Sequence, residues 1–93
     1  MVTVILKLKL DLPSVSSLKE KRRIVKSLID RVKNKFNVSI AEVGDNDYLK
    51  SATIGAAVVS NDHSYGHQVI AKLVDKVRSH PEIFIVDYST EEF

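Results

Sequence analysis

The sequence predicts an α+β sandwich, with two helices covering one face of a four-stranded antiparallel sheet, and three observations carry that reading. Val2, Val4, Leu6, Leu8, Leu10 and Leu12 alternate with Thr3, Ile5, Lys7, Lys9 and Asp11, the two-residue period of a half-buried strand. Residues 17–36 carry apolar side chains at helical spacing. Two further β-rich runs, a second helical pattern and a closing strand then follow, which sets the order βαββαβ.

The first strand runs from Val2 and is broken by Pro13, Ser14 and Ser16. Ser17 and Glu20 then have the spacing of a capping box, in which each side chain satisfies the other's backbone N–H at a helix start. In the helix that follows, Leu18, Val25, Leu28, Ile29, Val32 and Phe36 fall within about a third of the circumference at ~100° per residue and predict a buried stripe. Lys19, Arg22, Arg23, Lys26 and Lys33 gather on the flank beside it, with Asp30 the one acid among them. Several of these cations lie in the first two turns, where the helix dipole disfavours positive charge, so stability alone does not place them there.

Asn37 turns the chain into a second strand, Val38 to Val43, and Gly44-Asp45-Asn46-Asp47 supplies a hairpin. Tyr48 to Ser60 forms the third strand, with Ala52, Ile54, Ala56 and Val58 in alternation, while Gly55 and Ala57 imply a close approach over its other face. Residues 60–64 offer several N-caps for a second helix whose apolar positions are Val69, Ile70, Leu73, Val74 and Val77. Pro81 ends it. Ile83 to Tyr88 is the fourth strand, and Ser89 to Phe93 is expected to fray. With right-handed crossovers this order gives a ferredoxin-like sandwich of strand order 4-1-3-2, read as one domain over residues 1–93. The start of helix one and the 44–47 hairpin share one end of the sheet, whereas residues 61–64 and both termini share the other.

Composition narrows the function. The chain of 93 residues has no cysteine, which excludes disulfides, thiol catalysis and thiolate metal sites and suits a reducing compartment. Residues 1–12 lack the apolar core of a signal peptide and no stretch is apolar enough to span a membrane, so the cytoplasm is the expected compartment. The formal net charge is only +2, yet residues 17–36 hold eight Lys/Arg against two acids, so the positive charge is local and favours an anionic partner. An exposed pairing of Asp45 or Asp47 with Lys21 or Arg22 is expected to offset a little of it.

Catalytic chemistry is thin. The chain has no P-loop, dinucleotide turn or nucleophile elbow, and Asp45 and Asp47, beside Glu42, read first as turn formers, so an enzyme is not expected. His63 and His67 are four apart, and Asp62 offers a third ligand, but an isolated surface histidine pair is the ordinary case and neither metal nor other cofactor is expected. His80 lies too far along the second helix to join them. The open face of the sheet has no aromatic residues on its two central strands, which disfavours base stacking of the kind that RNA-reading sheets use. Ile5 and Val59, with Ile83 and Ile85, instead make that face partly apolar, and a homodimer through it is expected.

Ser17-Leu18-Lys19-Glu20-Lys21-Arg22-Arg23, Val25-Lys26-Ser27-Leu28, Phe36-Asn37-Val38-Ser39, Ala41-Glu42-Val43 and Val58-Val59-Ser60-Asn61-Asp62 together resemble the YlxP-like family of small bacterial proteins. The resemblance covers nearly the whole chain. It implies a ferredoxin-like fold, no established activity and, through gene neighbours that encode translation initiation and ribosome maturation factors, an accessory role around RNA or the ribosome. Members often carry Trp shortly after the hairpin aspartate, where this chain has Asp47-Tyr48-Leu49. The sequence therefore supports a non-enzymatic accessory protein that contacts RNA or ribosomal particles through Lys19, Arg22, Arg23, Lys26 and Lys33. The alternative is a homodimeric protein-interaction module that uses Ile5 and Val59 and binds no nucleic acid. A small-ligand regulatory domain is a third reading, by analogy of fold alone.

Overall fold

The alternation of β1 (Val2–Asp11) buries Val4, Leu6, Leu8 and Leu10 on one side, and those four side chains form the floor of the core. The computed structural model describes residues 1–93. After β1 come α1 (Leu18–Lys35), β2 (Ser39–Gly44), β3 (Ser51–Ser60), α2 (His63–Arg78) and β4 (Phe84–Glu92). The sheet is antiparallel in the order β2-β3-β1-β4, the ferredoxin-like arrangement expected. Ala52, Ile54, Ala56 and Val58 of β3 join the floor, and Val25, Leu28 and Val32 of α1 pack over it with Ile70, Leu73, Val74 and Val77 of α2.

The helix ends follow the local chemistry. The Ser17 hydroxyl accepts from the Glu20 N–H at 3.1 Å, while the Glu20 side chain makes no return bond, so half of the capping box forms. Asp62 is the cap of α2, its carboxylate accepting from the N–H groups of Ser64 and Tyr65. Gly66 lets the first turns of α2 lie close on β1, since a Cβ there would stand 3.0 Å from Cγ2 of the fully buried Val4. Gly55 has a similar purpose on the open face, where Val43 of the neighbouring strand occupies the space a side chain would fill.

Several expectations are corrected. The buried arc of α1 is centred on Lys21, Ile24 and Leu28, so Leu18, Ile29 and Phe36 are edge residues and only half-buried. The segment after Tyr88 is not frayed: β4 runs to Glu92, and Thr3 and Phe93 exchange backbone hydrogen bonds at 2.8 and 2.9 Å. Ile83 and Ile85 do not belong to the open face. A register shift at Lys9/Leu10 places Ile85 opposite Leu10 on the core side, Ile83 is buried, and Phe84, opposite Asp11, is exposed instead. β3 begins at Ser51 rather than Tyr48, because residues 45–50 are all taken up by the turn.

Candidate nucleic-acid interface

Lys21 lies at i, i+4, i+7 and i+11 with Val25, Leu28 and Val32, and this spacing carries it into the core, where its side chain is fully buried. An ammonium has three protons to donate. Here they are donated to the Asp45 carbonyl at 2.6 Å, the Tyr48 carbonyl at 2.6 Å and the Asn46 carbonyl at 3.4 Å, while Glu42 Oε2 lies 3.3 Å from the nitrogen. Glu42 Oε2 has no hydrogen bond and meets Lys21 as an ion pair only. The exposed pairing expected for Lys21 is therefore replaced by a buried one, in which the cation organises the β2–β3 turn.

The turn is built to present those carbonyls. Asp45 has φ 60°, a left-handed conformation that short polar side chains tolerate. Its carboxylate accepts from the Thr53 hydroxyl at 3.1 Å and lies 3.7 Å from Lys9 Nζ. Lys50 holds the other side of the same end by donating to the Pro13 carbonyl at 2.8 Å. Asp45 is thus committed to Thr53 and Lys9, Asp47 forms no ion pair, and neither carboxylate offsets Arg22.

Lys19, Arg22, Arg23, Lys26 and Lys33 are all exposed, and they lie opposite the buried arc of α1. They form its outward face rather than the flank expected from the sequence. Lys26 lies 3.6 Å from Asp30 with both groups exposed; the other four make no ion pair. At 1.5 Å per residue the row from Lys19 to Lys33 is about 21 Å long. No helix is long and apolar enough to cross a membrane.

Ile5 and Val59 are exposed on the open face of the sheet, 38% and 64% respectively. Ile5 stands opposite Ala57 and Thr3 opposite Val59, while Val43 covers Gly55, so an apolar patch extends over β1, β3 and β2. Toward β4 the face becomes charged, with Lys9 opposite Asp87 and Ile5 opposite Glu91. His63 and His67 come together at the far end of the sheet, but Asp62, occupied as a helix cap, does not join them; Glu92 does. That partner lies 25 residues from His67 and no local spacing points to it.

A basic helix thus lies on the outer layer of a ferredoxin-like domain. Among solved structures the fold is similar to 30S ribosomal protein S6 from Thermotoga maritima, with a TM-score of 0.56 at 10% identity, covering 100% of this chain and 89% of that one. It is also similar to a de novo designed protein with a ferredoxin fold, with a TM-score of 0.53 at 15% identity, covering 100% and 84%. At such identities these are likenesses of fold alone. The sequence is more specific: the model of the family described as protein of unknown function DUF503 matches residues 3–90, and the chain belongs to that YlxP-like family. It is 39% identical over 77 residues to the uncharacterised protein YlxP of Bacillus subtilis (strain 168), covering 83% of this chain and 84% of that protein.

The two kinds of cation on α1 should separate by mutation. Lys21→Met removes the donor from two short carbonyl contacts and leaves Glu42 without its counter-ion, so urea unfolding should show a loss of about 3 kcal/mol. Arg22→Met, one residue on, should change stability by less than about 0.5 kcal/mol.

Proposed function

We propose that this protein is a non-enzymatic accessory factor, acting in the cytoplasm, that binds RNA or ribosomal particles through the phosphates facing Lys19, Arg22, Arg23, Lys26 and Lys33. One observation carries the reading: four of these five exposed cations have no acidic partner, although they share a helix face and three stand near its electropositive end. A solvated helix face gains nothing from such a concentration of one sign, whereas a polyanion meets several cations in a row. In the turn beside the helix the Asp45 carboxylate is engaged by Lys9 and Thr53, and Asp47 forms no ion pair with the row. Phosphate contacts position a nucleic acid without reading its bases, so sequence preference is expected to be weak. The likeness of fold to a 30S ribosomal protein is compatible with this reading.

The homodimer is the second reading, favoured by the contiguous patch of Ile5, Ala57, Val59 and Val43 on a sheet face that the helices leave open. It uses the opposite layer from the basic row, so a dimer would carry two such rows on its outer sides.

Binding to single-stranded RNA and co-sedimentation with ribosomal subunits test the first reading. Three to five engaged cations give a log-log salt slope of about −2 to −3.5. Reversal of Arg22, Lys26 and Lys33 to Glu should abolish association and barely change Tm. Lys72→Glu and Lys76→Glu on α2 serve as the control; Arg78 is unsuited, because its guanidinium stacks 5.7 Å from the Tyr88 ring centroid. Equal binding by wild type and triple variant, or none at low salt, would overturn it. For the second reading, light scattering should find a dimer at micromolar concentration that Ile5→Lys weakens without unfolding the chain, and a wild type that stays monomeric would contradict it.

A further inference from the structure

We propose that His63, His67 and Glu92 form a binding site for a divalent transition-metal ion of the zinc type, joining the start of α2 to the end of β4. The placement of all three residues follows from the fold. Glu92 lies opposite Val4 in the β1–β4 pairing, and Gly66 packs closely on the same Val4, where a Cβ would stand 3.0 Å from its Cγ2. The first turns of α2 are thereby drawn down beside the end of β4. His63 and His67, one turn apart, then face the same strand residue, with ring centroids 4.9 Å apart and ring planes tilted by 51°.

The donor atoms converge. His67 Nε2 lies 2.8 Å and His63 Nδ1 2.5 Å from the same oxygen, Oε1 of Glu92, and the three ligand atoms all fall within 4.8 Å of one another. Tetrahedral zinc with nitrogen and oxygen ligands at 2.0–2.2 Å sets its donors roughly 3.3 Å apart, so shifts of less than about 2 Å accommodate an ion. Two imidazoles and a carboxylate are also the donor set that borderline metals of this kind select, whereas magnesium and calcium prefer oxygen alone. Three protein ligands leave a coordination position for water or an exogenous ligand. There is room for one: His67 also lines a groove of about 290 Å³ between α2 and β4, with Val74, Arg78, Tyr88 and Thr90. The groups are partly solvent-accessible, so an ion has a path in.

Ordinary histidine–carboxylate hydrogen bonds would close this end of the sheet in the same geometry, and metal uptake distinguishes the two. The full chain, stripped by a chelator and dialysed, is titrated with Zn²⁺ alone and followed by calorimetry and thermal melting. One ion per chain is expected, with a rise in Tm of at least about 4 °C at saturation, and Co²⁺ should give the visible bands of a tetrahedral site. Mg²⁺ should leave Tm unchanged. His67→Gln and Glu92→Gln should each weaken Zn²⁺ binding at least about tenfold, whereas His80→Gln, at the other end of α2, should not. If circular dichroism shows either variant unfolded, His63→Gln, on an exposed residue, takes its place. Absence of saturable wild-type uptake below a Kd of about 100 µM, or undiminished uptake by Glu92→Gln, would overturn the proposal.

Discussion

The buried ammonium of Lys21 ties the start of α1 to the turn between β2 and β3, and the arrangement at that end of the molecule depends on it. A lone charge there would be strongly unfavourable, so the carbonyls of Asp45 and Tyr48 and the Glu42 carboxylate are needed to hold it. The dependence is mutual, because those carbonyls sit in a turn with a left-handed aspartate and would otherwise point into a protein interior. Lys21 shares the buried arc of α1 with Ile24, Val25, Leu28 and Val32, and together they set which side of the helix faces the core. The rest of the basic run is then turned outward.

A single run of charge therefore has two physical roles. Lys21 is structural, and Lys19, Arg22, Arg23, Lys26 and Lys33 form an outward face in which only Lys26 has an acidic partner, Asp30. At the far end of the sheet a second polar junction, of His63 and His67 with Glu92, joins α2 to β4. The core between these two junctions is almost wholly apolar, with Lys21 and Thr53 the only buried polar residues. Polar contacts thus fix the two ends of the sandwich, while hydrophobic packing holds its middle.

Strand order, helix number and the side of β1 and β3 that faces the helices are legible in the sequence because strict alternation assigns each residue a face. Alternation fails for Ile83-Phe84-Ile85-Val86, apolar at every position, and the register shift beside it decides which way each side chain points. The end of β4 is hidden by composition: the side chains of Ser89-Thr90-Glu91-Glu92 on this edge strand are all exposed, so no apolar alternation marks them as strand. Lys21 was hidden among like charges. Its signal lies in its spacing to Val25, Leu28 and Val32, which marks a core position whatever the side chain, and the same spacing would have brought Ile24 into the buried arc. Glu92 has no local signal, since only the pairing of β1 with β4 brings it to the histidines.

Lysine-specific chemical labelling of the native chain, read by mass spectrometry with and without RNA at low salt, addresses both roles of the basic run at once. Lys21 should stay unlabelled in either state. Lys19, Lys26 and Lys33 should label readily in the free protein and be shielded by RNA, while Lys72 should label equally in both. Labelling of Lys21 at the rate of Lys19 would contradict the buried anchor, and equal labelling of Lys19, Lys26 and Lys33 with and without RNA would contradict the outward row as the binding face.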